Sequence, residues 1–180
     1  QSTTTTEVAE KARVAKGTLF LYARDKDDLL LLVMHDRLAA ATDEGFATMP
    51  AKGPLLAQLL HVFGTLYAMY AAQPAALGAS FVGILPMARG PNADRVNALT
   101  QAFLTRVSSL VRDAQARGEV AAEVVPMLAA GNFFASYFLS LMAWIAGMAP
   151  SIEMSLAQLE ASLLLQMRGL HPEKKSERAG

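Results

Sequence analysis

The chain contains no cysteine. That excludes disulfides, thiolate metal sites and thiol nucleophiles together, and it fits a reducing, cytoplasmic location. Charge is scarce: Asp, Glu, Lys and Arg make up 18% of the 180 residues, and 16 basic residues balance 16 acidic ones. Zero net charge excludes a nucleic-acid-binding coat over the whole surface and leaves only local patches for such a role. Segments that alternate apolar and polar residues are also missing, so strands are not expected. Gln1 to Thr6 is polar and no apolar block follows before Lys26, so no secretory signal is expected there.

What the chain has is apolar bulk, 53% of its residues, enough at this length to bury a core without staples. Its charge is unevenly spread. Lys11, Arg13, Lys16, Arg24 and Lys26 fall close together with Asp25 as the one acid among them, whereas Gly53 to Ala88 and Val124 to Ile152 hold no Asp, Glu, Lys or Arg. This predicts a small charged module over residues 1–48, a larger apolar one over 49–170, and a polar, disordered tail over 171–180.

Helix punctuation recurs along the chain. Thr4 and Glu7 have capping-box spacing. Asp25 can cap a helix from Lys26, with Asp27 and Asp28 suited to its positive end. Pro54, Pro74, Pro91 and Pro126 suit first-turn or pre-helix positions. Gly118 and Gly169 follow Arg117 and Arg168, a basic-then-Gly ending. These signals predict helices over about 4–12, 16–22, 26–47, 54–72, 75–86, 92–117, 125–147 and 152–168. The expected fold class is all-α.

Both uncharged stretches reach the roughly 20 residues a bilayer span requires. Gln73-Pro74 and Gly78 break the first. The second carries a small-residue stripe of Asn132, Ser136, Ser140, Ala143 and Gly147, which permits close approach of another helix in water or in lipid. With no clear basic asymmetry in the flanks, a soluble core and interface is expected, and no membrane; a membrane-associated helical protein is the rival.

The most specific signal is Thr4-Thr5-Thr6-Glu7-Val8-Ala9-Glu10-Lys11-Ala12-Arg13-Val14-Ala15-Lys16-Gly17-Thr18-Leu19-Phe20-Leu21-Tyr22. Two short helices parted by about three residues, leaning on the apolar run from Leu29, make a helix-turn-helix, whose second helix enters the major groove. Lys16 supplies a cationic arm, Gly17 allows close backbone approach, Thr18 offers a hydroxyl and a methyl, and Tyr22 a phenol for phosphate. Thr4, Thr5 and Lys26 place donors and helix ends near the backbone of the duplex.

This frame resembles the DNA-binding domain of TetR-family transcriptional regulators. Val8-Ala9, Val14, Gly17-Thr18-Leu19, Tyr22 and Lys26 follow the family pattern, with Phe20 in place of the first Tyr. Arg13 stands where a turn Gly is usual, Ala15 where a capping Ser is usual, and Ala23 where an aromatic is usual. The resemblance also implies a further helix ahead of Thr4, where this sequence holds three residues. It names Thr4, Thr5, Lys16, Gly17, Thr18, Leu19, Tyr22 and Lys26 as contacts to a double-stranded DNA operator.

The resemblance implies that the C-terminal region is a ligand-sensing and dimerisation domain. Aromatic stripes at helical spacing are by themselves ordinary core. With the family's architecture they become candidate walls of a cavity: Phe63, Tyr67, Tyr70, Phe81, Ile84, Phe103, Val107, Phe133, Tyr137, Leu141 and Trp144. Apolar, Met-containing surroundings without charge suit a small hydrophobic effector. For a homodimer interface, the candidates are Ser136, Ser140, Ala143 and Gly147, with Leu156, Leu159, Leu163 and Met167 on the last helix, although an intramolecular core explains the same spacing.

Other chemistry is not expected. His35, His61 and His171 lack metal-ligand spacing, and His35 and Asp36 occupy successive helical positions that face different ways. No nucleophile has a base in reach and no phosphate-binding loop follows a strand, so neither enzyme activity nor a cofactor or metal is expected. The functional expectation is a ligand-responsive repressor. The alternative is an all-α hydrophobic-ligand-binding protein or small enzyme without DNA binding.

Overall fold

The computed structural model describes Glu7 and residues 16–171, leaving out the side chains of Lys16 and Leu19. The described residues form helices α1 (Lys16–Phe20), α2 (Lys26–Thr48), α3 (Leu55–Ala71), α4 (Ala75–Ile84), α5 (Pro91–Ala116), α6 (Pro126–Ile145) and α7 (Ile152–Leu170). A single 3-10 turn, Leu85–Met87, extends α4. No strand occurs among them, and the all-α expectation holds. Of the expected helix over 4–12, Glu7 alone is described, and it is helical; the rest lies outside the described residues.

Local chemistry accounts for the boundaries. The Asp25 carboxylate accepts the Asp28 N–H at 2.8 Å and caps α2. Pro54 and Pro74 stand just before α3 and α4, while Pro91 and Pro126 open α5 and α6, where a missing N–H costs little. Ser151 caps α7 through the Met154 N–H, a signal the sequence reading passed over. Gly118, at φ +77°, ends α5 as expected. Gly147, at φ +73°, ends α6 in the same way, with the Met148 N–H returning to the Ala143 carbonyl. It is therefore a terminator and does not extend the small-residue stripe. Gly169 lies inside α7, which runs on to Leu170.

The core lies between α3, α5, α6 and α7. Leu59, Phe63, Leu66, Tyr67 and Tyr70 from α3 meet Phe103 and Val107 of α5, Phe133 and Tyr137 of α6, and Leu159 and Leu163 of α7. Each fully buried side chain of this kind contributes about 1.5–3 kcal/mol. Helix α2 packs on α3 and α5, burying Met34, Ala41 and Thr42, and Gly45 lets it approach the backbone of α3 at Val62. Arg106 of α5 fastens it by donating to Asp43 at 2.6 Å and lying over the Phe46 ring. The boundary near Thr48 is thus a turn, and α2 on its N-terminal side is part of the apolar body.

By length and composition α6 could cross a membrane, but Phe133, Tyr137 and Leu141 on it are buried inside the protein. The first uncharged stretch is bent by 114° between α3 and α4, so it forms two helices and no continuous span.

Candidate functional site

The N-terminal signature ends in α1 and the turn after it. The helix closes at Phe20, two residues earlier than expected, where the Thr18 carbonyl accepts the Leu21 N–H at 3.2 Å. Gly17 and Thr18 are exposed, and none of the described residues lies within 4 Å of where a Gly17 Cβ would stand. Phe20, Leu21 and Tyr22 are exposed beside them, Leu21 by 81%. Ala23 is buried and serves as the small anchor of the turn. Lys26 is exposed at the start of α2. Thr4 and Thr5, and the side chains of Lys16 and Leu19, lie outside the described residues.

This segment is tied to the apolar body by a polar junction that the sequence reading missed. Asn92, on the first turn of α5, donates to the Tyr22 carbonyl at 3.0 Å and to the Asp28 carbonyl at 3.4 Å. Asp28 is buried, and its Oδ2 accepts the Arg24 N–H at 2.9 Å and the Arg24 Nε at 3.4 Å. The Arg24 guanidinium also donates to the Arg89 carbonyl. Burial pushes the Asp28 carboxyl up, but the Arg24 N–H, the Asn92 amide and the Arg24 guanidinium outweigh it and hold the group below the usual carboxylate range. Gly90 has φ +101°, a region that side chains rarely adopt, and any Cβ there would overlap the Arg24 guanidinium. The turn between α4 and α5 is therefore shaped around Arg24.

Between α2, α3, α4, α5 and α6 lies an apolar cavity of about 70 Å³. Of the expected lining residues it includes Tyr70, Phe81, Phe103, Tyr137 and Leu141. It also takes Leu38, Thr42, Leu66, Leu85, Val96, Leu99, Thr100, Phe134 and Phe138, which the sequence reading did not select. Phe63, Tyr67, Val107 and Phe133 are core residues behind the wall: Phe63 stacks on Tyr137 at 4.7 Å, and the Tyr67 hydroxyl donates to Ser140 Oγ at 2.9 Å. Ile84 is half-buried and outside the cavity lining. Trp144 lines a second hollow of about 220 Å³ with Tyr70, Ala71, Gln73, Ala75, Gly78 and Ile145.

No charged side chain lines either space. Neither the Tyr70 nor the Tyr137 hydroxyl has a hydrogen-bond partner among the described residues. Burial raises both phenols well above their ordinary range, and the nearby Tyr70 and Tyr67 phenols raise Tyr137 further. They stay protonated, and each can donate one hydrogen bond into apolar surroundings.

The expected dimer stripe needs correction. Ser140, Leu159, Leu163 and Met167 are buried within the protomer. Ser140 donates to the Ser155 carbonyl, and half-buried Ser136 accepts from Gln166, so this stripe joins α6 to α7 in one chain. Ala143 and Leu156 are half-buried; Gly147 is exposed beyond the helix end. The apolar residues that face outward are others: Leu128, Ala135 and Leu139 on α6, and Met154, Ala157, Ala161, Leu164 and Leu165 on α7. Helix α7 is apolar on two faces, and spacing alone does not say which one turns inward.

His35 and Asp36 form a hydrogen bond at 2.9 Å, although successive helical positions were expected to separate them. Asp36 is 69% exposed and Arg95 lies 3.7 Å away, which makes this a surface cluster. His61 Nε2 is satisfied by the Thr48 hydroxyl at 2.8 Å, away from the cavity.

Residues 1–33 match the sequence profile described as "Bacterial regulatory proteins, tetR family". No curated protein matches the chain. Among solved structures it is similar to the transcriptional regulator FadR from Bacillus subtilis in complex with stearoyl-CoA, at 18% identity and a TM-score of 0.76 over 94% of this chain and 89% of that one. It is also similar to Thermus thermophilus FadR, a TetR-family transcriptional repressor in complex with lauroyl-CoA, at 22% identity and 0.69 over 100% and 91%. The ketosteroid transcriptional regulator KstR2 of Mycobacterium tuberculosis aligns at 12% identity and 0.65 over 95% and 86%. At such identities the solved structures speak for the fold. The profile match covers residues 1–33, and over these the chain is similar to the tetR family of bacterial regulatory proteins.

Proposed function

We propose that this chain is a cytoplasmic, ligand-responsive transcriptional regulator: a homodimeric repressor released from a palindromic operator by a small hydrophobic effector. The observation that carries this reading is the short route from cavity to DNA-reading segment. Phe81 and Leu85 line the cavity, and a few residues onward Arg89 and Asn92 hold Arg24 and Tyr22. A ligand that moves this wall moves the residues against which the recognition segment is set. Operator affinity then depends on which arrangement the ligand favours.

The apolar outer face of α6 and α7 supports a two-fold dimer, which would set two recognition segments about one DNA turn apart. The uncharged cavity supports an apolar effector. The FadR structures hold stearoyl-CoA and lauroyl-CoA, so an acyl chain is a reasonable first ligand to test.

The experiment selects duplexes from a random pool with the full-length protein, then follows the enriched duplex by fluorescence anisotropy during titration with lauroyl-CoA and with dodecanol. Enrichment of an inverted repeat, released by either compound, is expected. Failure to enrich any duplex would leave a helical ligand-binding protein. A complex indifferent to apolar ligands would remove the effector from the mechanism.

A further inference from the structure

Tyr70 is the residue common to the two spaces described above: it lines the inner cavity of about 70 Å³ and the outer hollow of about 220 Å³. The inner cavity alone falls far short of the roughly 300 Å³ at which ligand pockets begin, whereas the two joined come close to it. The Tyr70 ring passes beside Gly78, where an added methyl would stand 3.4 Å from Cδ1. A glycine inside a helix costs about 1 kcal/mol relative to alanine, and here it leaves one methyl's room between the helix and the Tyr70 ring, with Ile145 Cδ1 3.8 Å from the same point.

We infer that Tyr70 is a movable partition in one effector channel, and that the channel takes an extended, uncharged apolar chain bearing a hydrogen-bond acceptor. The inference rests on this cavity being the effector site and adds the ligand's chemistry, its way in and the residue that admits it. The acceptor follows from the hydroxyls of Tyr70 and Tyr137, donors without partners among the described residues, in a space whose other polar side chains are Thr42 and Thr100, the latter spent on the Val96 carbonyl. The lack of charge follows from the lining, which has no cation to meet a carboxylate and no anion to meet an amine. The extended shape follows from two narrow compartments meeting at one side chain.

Trp144, the sole tryptophan, lines the outer hollow and reports on passage through it. The probe is 2-undecanone, a linear chain with one carbonyl, followed by stopped-flow tryptophan fluorescence with calorimetry for affinity. In the full-length wild-type protein the association rate should level off with ketone concentration, because opening of the partition limits entry. Tyr70→Ala should raise that plateau at least ten-fold. Gly78→Ala should lower it several-fold, since the methyl blocks the swing. Tyr70→Phe and Tyr137→Phe keep the rings and so the fold, which melting curves check, and each should weaken the ketone about five-fold by loss of one hydrogen bond.

Equal association rates across the wild type, Tyr70→Ala and Gly78→Ala would overturn the partition. Undiminished affinity in both phenylalanine variants would overturn the acceptor, and absence of ketone binding would overturn the ligand class. Ketone binding that obeys these expectations but releases no duplex would sink the regulatory reading and leave the channel standing. Release of DNA by an apolar ligand with unchanged entry kinetics in Tyr70→Ala would do the reverse.

Discussion

Asn92→Ala is the most direct test of how the recognition segment is held. The side-chain amide makes two hydrogen bonds, at 3.0 Å to the Tyr22 carbonyl and at 3.4 Å to the Asp28 carbonyl. The first has ordinary geometry and contributes about 1 kcal/mol; the second is long and adds a few tenths. Tyr22 is 66% exposed, so its carbonyl can find water after the substitution, which keeps the loss near the low end. The total, about 1–1.5 kcal/mol, corresponds to a roughly 5- to 13-fold increase in opening of the junction. Amide exchange should accelerate by that factor at Leu21, whose N–H closes the turn, and stay unchanged at core positions such as Val107. Operator affinity should fall by a similar factor while affinity for an apolar ligand stays within two-fold. Asn92→Asp should do more damage, because it sets a second carboxylate beside Asp28. Unaltered exchange at Leu21 in Asn92→Ala would refute the idea that this amide carries the junction.

Further outcomes follow from the same geometry. The folded-state carboxyl of Asp28 lies below its ordinary value of 3.8, so its contribution to stability is whole above that value and fades as pH falls through the folded value. The difference in denaturant stability between the wild type and Asp28→Asn should therefore shrink between pH 6 and pH 3, and a difference independent of pH would exclude the effect. Leu139→Glu combined with Leu165→Glu should give monomers in analytical ultracentrifugation with an unchanged far-UV spectrum, since both side chains are about 70% exposed in the protomer; a persistent dimer would place the interface elsewhere. Lys16→Ala and Tyr22→Phe should weaken operator binding without altering dimerisation, and unchanged binding would refute their placement. Phe103→Ala removes a buried ring from the cavity wall, at a cost of about 3–5 kcal/mol, and should change ligand response more than operator affinity.

Helix limits were legible because their signals are local. The Asp25 cap, the prolines before and within first turns, and Gly118 after Arg117 each satisfy a backbone group within a few residues. The aromatic wall was legible in part. Phe103, Tyr137 and Tyr70 share helical faces with many other apolar residues, and periodicity says that a face is buried without saying whether it meets a neighbour or a void. The junction was not legible at all. Asn92 lies 70 positions from Tyr22, and nothing near either residue marks the pair. Which apolar face of α7 turns outward was not legible for a related reason. Leu159 and Leu163 pack inside the chain while Leu164 and Leu165 turn outward, and on a helix apolar on two sides composition cannot rank them.

The size of the cavity bears on how a ligand would act in the proposed mechanism. At about 70 Å³ the inner space holds little more than a few carbon atoms, so an effector enters only if some wall gives way. Helices α3, α5 and α6 are 17 to 26 residues long and deeply packed, and moving them would break many contacts at once. Helix α4 is different. It has ten residues, two of them Gly78 and Gly83, and it buries only Gly78, Phe81 and Val82, so it is held mainly by its neighbours. It also leads directly into the turn that carries Arg89 and Gly90. In the proposed mechanism the wall that yields at least cost is the one joined to the segment after α1, and strain placed on Phe81 and Leu85 would be relieved where Arg24 and Tyr22 are held.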